Sequence, residues 1–281
     1  SEVRSDIVET VLYQRTLKNT QHALQDGYWF SKSLLKTMYQ QLLSYGRGAT
    51  KSPGAFKHEQ NYLADKRKKS ILFVPISPEK LEEGLDKLFD YINQDISPVL
   101  LKTAVSHVEF EALHPFQDGN GRIGRMLITL MLWQAKAISA PYFYISGYFE
   151  EYKDRYVDLM RGVSETGDWN EWCVFFLEAV KWQAVHNLSI AQNIQSLYEE
   201  MKAIFTETLS SKHSLAVLDF VFTYPVFRNS RLVEITGIPP ATANRFTKAL
   251  FEKGILILKE EASGRKSALY SFERMMELVR V

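Results

Sequence analysis

The sequence predicts a mainly α protein: a large helical domain carrying one short β-hairpin, followed by a small α+β domain. Three observations carry this. Apolar residues recur at helical spacing through most of the first 205 residues, and one β-type run, "KKSILFVPIS" at 68–77, interrupts them. After a polar break near 210, two short helical patterns precede two more β-type runs. The 281 residues suit one large domain or two ordinary ones. We divide them into an N-terminal helical region at 1–45, a core at 46–205 and a C-terminal domain at 206–281.

The elements follow in order. Over 1–45, Val8, Val11, Leu12 and Arg15 mark one helical face, and Leu34, Leu35, Met38 and Leu42 another. "YGRGATKSPG" at 45–54 is a loop by its glycine, proline and small polar residues. The run at 68–77 is closed by Pro75 and Pro78 and approached by basic residues at 66–69. Leu81, Leu85, Leu88 and Phe89 resume the helical period, and Pro98 opens a helix bearing Leu101, Ala104, Val105 and Val108. Ile123, Met126, Leu127, Leu130 and Met131 repeat at helical spacing, a further helix covers about 150–161, and one or two long helices follow from Gly167. The tail holds two helical patterns with a turn between them, then β-type runs at 255–260 and 267–272. That is the element order of a winged helix-turn-helix.

Composition removes several classes. The formal charge of +1 gives no global pull toward nucleic acid or membrane. No apolar run reaches the roughly 18 residues of a membrane span. The single cysteine, Cys173, excludes an intrachain disulfide and reads as a buried inert thiol among bulky apolar neighbours. With a charged start that lacks a signal-peptide profile, the chain is read as cytoplasmic.

The chemistry concentrates in "LHPFQDGNGRIGRML", 113–127. Gly119 and Gly121 directly precede a helix, whose first turn leaves amide N–H groups without intrahelical partners and suits an anion. Arg122 and Arg125 are i, i+3 neighbours on that turn, and two guanidinium forks suit a polyanion. Asp118 would repel phosphate unless a cation sat between them, so its natural role is to hold Mg²⁺. His114 is the one residue here that titrates near neutrality, the candidate general base. Together they describe attack of a hydroxyl on a nucleotide phosphate.

This stretch resembles the signature of the Fic family, His-Pro-Phe-x-Asp/Glu-Gly-Asn-Gly-Arg-x-x-Arg, with every fixed position filled from His114 through Arg125. The resemblance extends to "SPGAFKHEQNYL", to "ILFVPIS", to "SHVEFEALHPF" and to the helices after the motif, about 19–200 in all, and a winged-helix tail is a frequent companion. It implies a Fic helical core with a β-hairpin flap. The implied activity is AMP transfer from ATP, with Mg²⁺, to a Ser, Thr or Tyr hydroxyl of a target protein, the chain itself included. By the same resemblance His114 is the base and Asp118 the metal ligand. Gly119, Asn120 and Gly121 form the anion hole, Arg122 meets the β-phosphate and Arg125 the γ-phosphate. The flap at Phe73, Val74, Pro75 and Ile76 docks the target as an added strand. A kinase branch has lysine where this chain has Gly121, so the glycine favours AMP transfer. A phosphocholine-transferring branch is not excluded by the motif.

Two family patterns are only partly met. "EYKDRYV" at 151–157 stands where "ENxxxYY" is usual: Tyr156 is retained as an adenine contact, while Tyr152 and Val157 replace the asparagine and second tyrosine. "SDIVET" carries Ser5 and Glu9 at the spacing of the family's inhibitory helix, whose glutamate pairs with the second arginine, but Thr10 stands where Gly or Asn is expected. Glu9 is either that inhibitor or ordinary helix surface, or the true motif lies upstream.

A DNA-binding regulator is the alternative, or a toxin-like module whose core transfers another phosphate-containing group. The tail carries a mild basic excess. Thr242, Asn244, Arg245 and Lys248 fall on its recognition-helix pattern, and Arg265 and Lys266 at the wing tip. DNA contact, protein contact and a homodimer all stay open.

Overall fold

The computed structural model describes residues 2–44, 54–65 and 70–279. The loop at 45–53, the basic residues 66–69 and the side chain of Ser5 lie outside the described residues. The chain forms two compact units, residues 1–184 and 185–281. Their division falls inside one long helix, upstream of the break read at 206.

In the first unit, α1 (Glu2–Gln25) and α2 (Lys32–Leu42) precede a hairpin of β1 (Leu63–Asp65) and β2 (Ser70–Phe73). Then come α3 (Pro78–Gln94), α4 (Val99–Leu113), α5 (Asn120–Gln134), α6 (Ser146–Glu151) and α7 (Lys153–Thr166). The long helix α8 (Trp169–Leu209) begins here and ends in the second unit.

Helices α4 and α5 divide two apolar cores. Phe110, Leu113, Ile123, Met126, Leu127, Leu130 and Met131 face the core built with α1, α2 and α3. Ala104, Val108, Ile128 and Leu132 face the other, filled by Phe149, Trp172, Phe175 and Phe176. A helix buried on both sides needs apolar residues around most of its circumference, which is why "MLITLMLW" reads as nearly continuous. The crossing is close at Gly124: a Cβ there would lie 2.7 Å from Glu111 Oε1 and 3.1 Å from Phe110.

The buried face of α1 differs from the expected one. Leu12, Thr16, Leu17, Thr20 and Leu24 are inside, while Val11 is 57% exposed and Arg15 is exposed. At Thr20 the hydroxyl is satisfied inside the helix, where Oγ1 donates to the Thr16 carbonyl at 2.8 Å. In α2 all four expected residues are buried, with Tyr39 beside them, and Ser31 caps the helix by accepting from Leu34 N.

The second unit contains the end of α8, α9 (Ser214–Thr223), β3 (Val226–Arg228), α10 (Asn229–Thr236), α11 (Pro240–Glu252), β4 (Ile257–Glu260), β5 (Leu269–Ser271) and α12 (Glu273–Val279). Its sheet is antiparallel in the order β3-β5-β4, with Tyr270 opposite both Phe227 and Leu258. Leu197, Met201, Phe205 and Leu209 of α8 belong to this core, so packing places the boundary earlier than composition does. Between α10 and α11, Asn229 Nδ2 donates to Asn244 Oδ1 at 2.7 Å and to Thr247 Oγ1 at 2.9 Å.

Candidate functional site

The stretch read from 113 to 125 folds as the end of α4, a short loop and the first turns of α5. Its shape follows from its residues. Pro115 has no N–H to extend α4, and His114 caps the helix in the left-handed region at φ 44°, ψ 61°. Phe116 is fully buried, stacked on Tyr39 with ring centres 3.8 Å apart and touching Phe56. Asn120, also buried, folds its amide back on the loop: Oδ1 accepts from Phe116 N at 2.9 Å and Nδ2 donates to Phe116 O at 2.7 Å. Gly119, at φ 77°, is the residue before α5, a conformation that glycine adopts without strain. Ring, staple and glycine together hold the loop in one conformation.

The His114 imidazole is mostly buried, its side chain 19% exposed, with Nδ1 3.7 Å from Glu111 Oε2. Burial, reinforced by the Lys57 charge, pushes its pKa down to about 4. The ring is therefore neutral at pH 7 and has a nitrogen free to take a proton. Glu111 is pushed the other way, up to about 7, by burial, with Arg125 opposing. No sequence argument singled out Glu111, although a carboxylate three residues before a histidine on one helix face was a readable signal.

The N–H groups of Asn120, Gly121 and Arg122 precede the first intrahelical bond of α5, from Ile123 N to Gly119 O at 3.1 Å. The Gly119 amide donates to Asp118 Oδ1 at 2.7 Å, so Asp118 closes one side of the turn. A Cβ on Gly121 would lie 3.0 Å from Arg125 Nη1; a side chain there would push the second guanidinium aside. Among the described residues no group of three or more His, Cys, Asp and Glu is arranged to hold a metal ion.

Arg122 Nη1 meets Glu9 Oε2 of α1 at 3.3 Å. An inhibitory glutamate is expected on the second arginine, Arg125; Glu9 meets the first instead. The register of α1 explains the difference, because Tyr13, one turn further on, sits where the Arg125 charge acts on its hydroxyl. Glu9, Thr10, Tyr13 and Gln14 line a pocket with Arg122 and Tyr144.

The hairpin pairs Leu63 with Phe73 and Ala64 with Ile71, and β2 stops at Phe73. Val74, Pro75 and Ile76 continue beyond the ladder, tied to α4 where Ile76 N donates to Ala112 O. Ile71 and Val74 are more than half exposed. Among the described residues the sheet has two strands only, so β2 offers an unpaired edge. Behind it, Phe73, Glu111, Val157, Met160 and Arg161 line a small, mostly apolar cleft. Tyr156, expected at the adenine, lies with Phe149 and Trp172, its hydroxyl 2.8 Å from His107 Nε2. The neighbouring Val157 is the one that lines the cleft.

In the second unit Asn244, Arg245 and Lys248 are exposed on α11, with Thr242 partly so, and Arg265 and Lys266 are exposed between β4 and β5. Lys248 lies 3.8 Å from Glu252.

Residues 29–132 match the Fic/DOC family. Over 67 residues the chain is 36% identical to the protein adenylyltransferase fic-1 of Caenorhabditis elegans, covering 22% of this chain and 13% of that protein. Over 120 residues it is 28% identical to a probable protein adenylyltransferase of Aquifex aeolicus, covering 38% of each. The chain thus spans well under half the length of these relatives. The crystal structure of a Fic family protein from Desulfovibrio desulfuricans superposes with a TM-score of 0.56 at 17% identity, covering 94% of this chain and 75% of that one. No described helix is long and apolar enough to cross a membrane.

Proposed function

We propose that this chain, whose residues 29–132 carry a Fic/DOC family domain, transfers AMP from ATP to a hydroxyl of a protein side chain. The observation that carries this reading is a neutral, mostly buried histidine beside a helix start with open amides and two arginines. The acceptor oxygen attacks the α-phosphorus while His114 takes its proton. The bond from that phosphorus to the α,β-bridging oxygen breaks, and pyrophosphate leaves with the electron pair. The amides at 120–122 stabilise the charge developing on the α-phosphate, and Arg122 and Arg125 hold the β- and γ-phosphates.

Asp118 fits a Mg²⁺ ligand: one oxygen caps Gly119, and the second has no bond among the described residues. A cation there would take its other ligands from phosphate and water, and would neutralise charge on the leaving pyrophosphate. The free edge of β2 suits an extended target segment. Glu9, on Arg122, would compete with a phosphate and restrain the enzyme. The reading places the protein in the cytoplasm, where ATP is abundant.

The position of the label distinguishes AMP transfer from phosphate transfer. ATP labelled at the α-phosphate should mark protein, and ATP labelled at the γ-phosphate should not; the reverse result would overturn the assignment. The pH dependence follows from the histidine. Its pKa is lowered from 6.5 to about 4, so the base is neutral, and competent, above that lower value. The acid limb of kcat/KM should fall below about pH 5 rather than near the ordinary histidine value of about 6.5. A limb at 6.5 would mean that His114 is more solvated than its burial implies.

A second activity is supported by the exposed Arg245, Lys248, Arg265 and Lys266. Helix, strand, two helices and a two-stranded return is the order of a winged helix, with α11 in the groove and the β4–β5 turn on the backbone. Random duplex should be bound at about 50 mM salt and released by about 200 mM. Undetectable binding at low salt would reduce this unit to a protein-contact module.

A further inference from the structure

The segment before the hairpin is a loop with an unusually placed lysine. Lys57 is only 4% exposed, and burial lowers its ammonium pKa to about 8. Its Nζ donates to the Leu113 carbonyl at 3.0 Å and to Asn61 Oδ1 at 2.9 Å, and its backbone N–H donates to the Pro115 carbonyl at 2.9 Å. Asn61 Nδ2 donates to the carbonyls of His114 and Phe116, both at 3.0 Å. Four consecutive carbonyls, 113 to 116, are thus held by two residues four positions apart. The residue between them in that grip, Gln60, turns the other way: its Nε2 donates to the Pro75 carbonyl, at the exit of β2, at 2.8 Å.

Left-handed backbone at a residue with a Cβ is unfavourable, and persists only where its surroundings over-determine it. At His114 the surroundings that do so are these bonds. A burial this complete for a lysine is itself costly unless the ammonium is satisfied, and the carbonyl and amide it meets satisfy it.

We propose that Lys57, Gln60 and Asn61 form a positioning bracket that fixes the general base and the target-docking strand in register with each other. The bracket rests on the adenylyl-transfer reading for its catalytic meaning, but its grip on the loop does not. Lys57 and Asn61 act through His114, without touching substrate, and Gln60 acts through the strand exit. An acceptor hydroxyl carried on a segment added to β2 is thereby delivered to an imidazole held by the same short stretch, 57–61. A displacement of about 1 Å in such an arrangement costs on the order of a hundredfold in rate.

Asn61→Asp is the informative variant. It keeps an acceptor for Lys57 Nζ, replaces the donor to the His114 and Phe116 carbonyls by a carboxylate oxygen that repels them, and adds a negative charge beside the Lys57 ammonium. With labelled ATP and a target protein or the chain itself as acceptor, kcat should fall on the order of a hundredfold while KM for ATP stays within about twofold. Gln60→Ala should instead raise KM for the acceptor more than it lowers kcat. Hydrogen exchange of the amides at 113–121 in the full chain should rise in Asn61→Asp at an unchanged melting temperature of the rest. That measurement decides the bracket even if no AMP is transferred. Labelling by wild type, its loss in His114→Ala, and wild-type kcat with unchanged exchange in Asn61→Asp would overturn the bracket and leave the reaction standing. No labelling by any form, with exchange raised in Asn61→Asp, would overturn the reaction and leave the bracket.

Discussion

Replacing His114 with alanine is expected to reduce AMP transfer by about a hundredfold to ten-thousandfold, the range over which a positioned general base accelerates a proton transfer. The effect should fall on kcat, since the amides at 120–122 and the two arginines that would bind the triphosphate remain. Alanine at φ 44° also carries left-handed strain of roughly 1–2 kcal/mol, which alone is small against the packing of the two cores around α4 and α5. His114→Asn separates the two causes. Asparagine tolerates left-handed backbone well but is no base at neutral pH, so it should restore the melting temperature and none of the rate. Full labelling by either variant would show that the proton goes elsewhere, and Glu111, 3.7 Å from the ring, would be the first group to examine.

The second large effect is expected in the opposite direction. Glu9→Gly should raise labelling about tenfold to hundredfold, corresponding to loss of a charge-assisted bond worth roughly 1.5–3 kcal/mol. Both side chains of that pair are about three-quarters buried, so solvent screens it less than a surface ion pair. Glycine in a helix interior costs about 1 kcal/mol, but Leu17 and Leu24 still anchor α1 in the core. Glu9→Gln retains a weaker, neutral hydrogen bond to Arg122 and should give a smaller rise. Unchanged labelling in a folded Glu9→Gly protein would make the contact a structural strut. Because Glu9 meets Arg122 and not Arg125, Arg122→Ala should also weaken any restraint, while lowering the affinity for ATP itself.

How much of this was legible depends on how local each feature is. The helix at 78–94 follows from a period of 3.6 in its own residues, and its buried face agrees with it, whereas the helix at 120–134 shows that period at 123, 126, 127, 130 and 131 but is buried around most of its circumference. The inward face of α1 was misread because Thr16 and Thr20 are polar by type yet buried, Thr20 with its hydroxyl bonded inside the helix. Strand β3 was missed because three residues carry too little alternation to be read, and it exists only through its pairing with β5. The boundary at 184/185 was invisible because α8 has no composition break there; only the packing of Leu197 and Met201 moves it.

The site divides the same way. Its polar groups from His114 through Arg125 lie within twelve consecutive positions, so one stretch of sequence determined which residues face the chemistry and in what order. What that stretch could not contain is what sets their state. The protonation of His114 depends on burial and on Lys57, the availability of Arg122 on Glu9, and the conformation of the loop on Asn61. These partners lie far from the motif in sequence, and their spacing to it carries no periodic signal. A residue's chemical type is local, but its pKa, its strain and its partners are properties of the space around it, which only the folded chain defines.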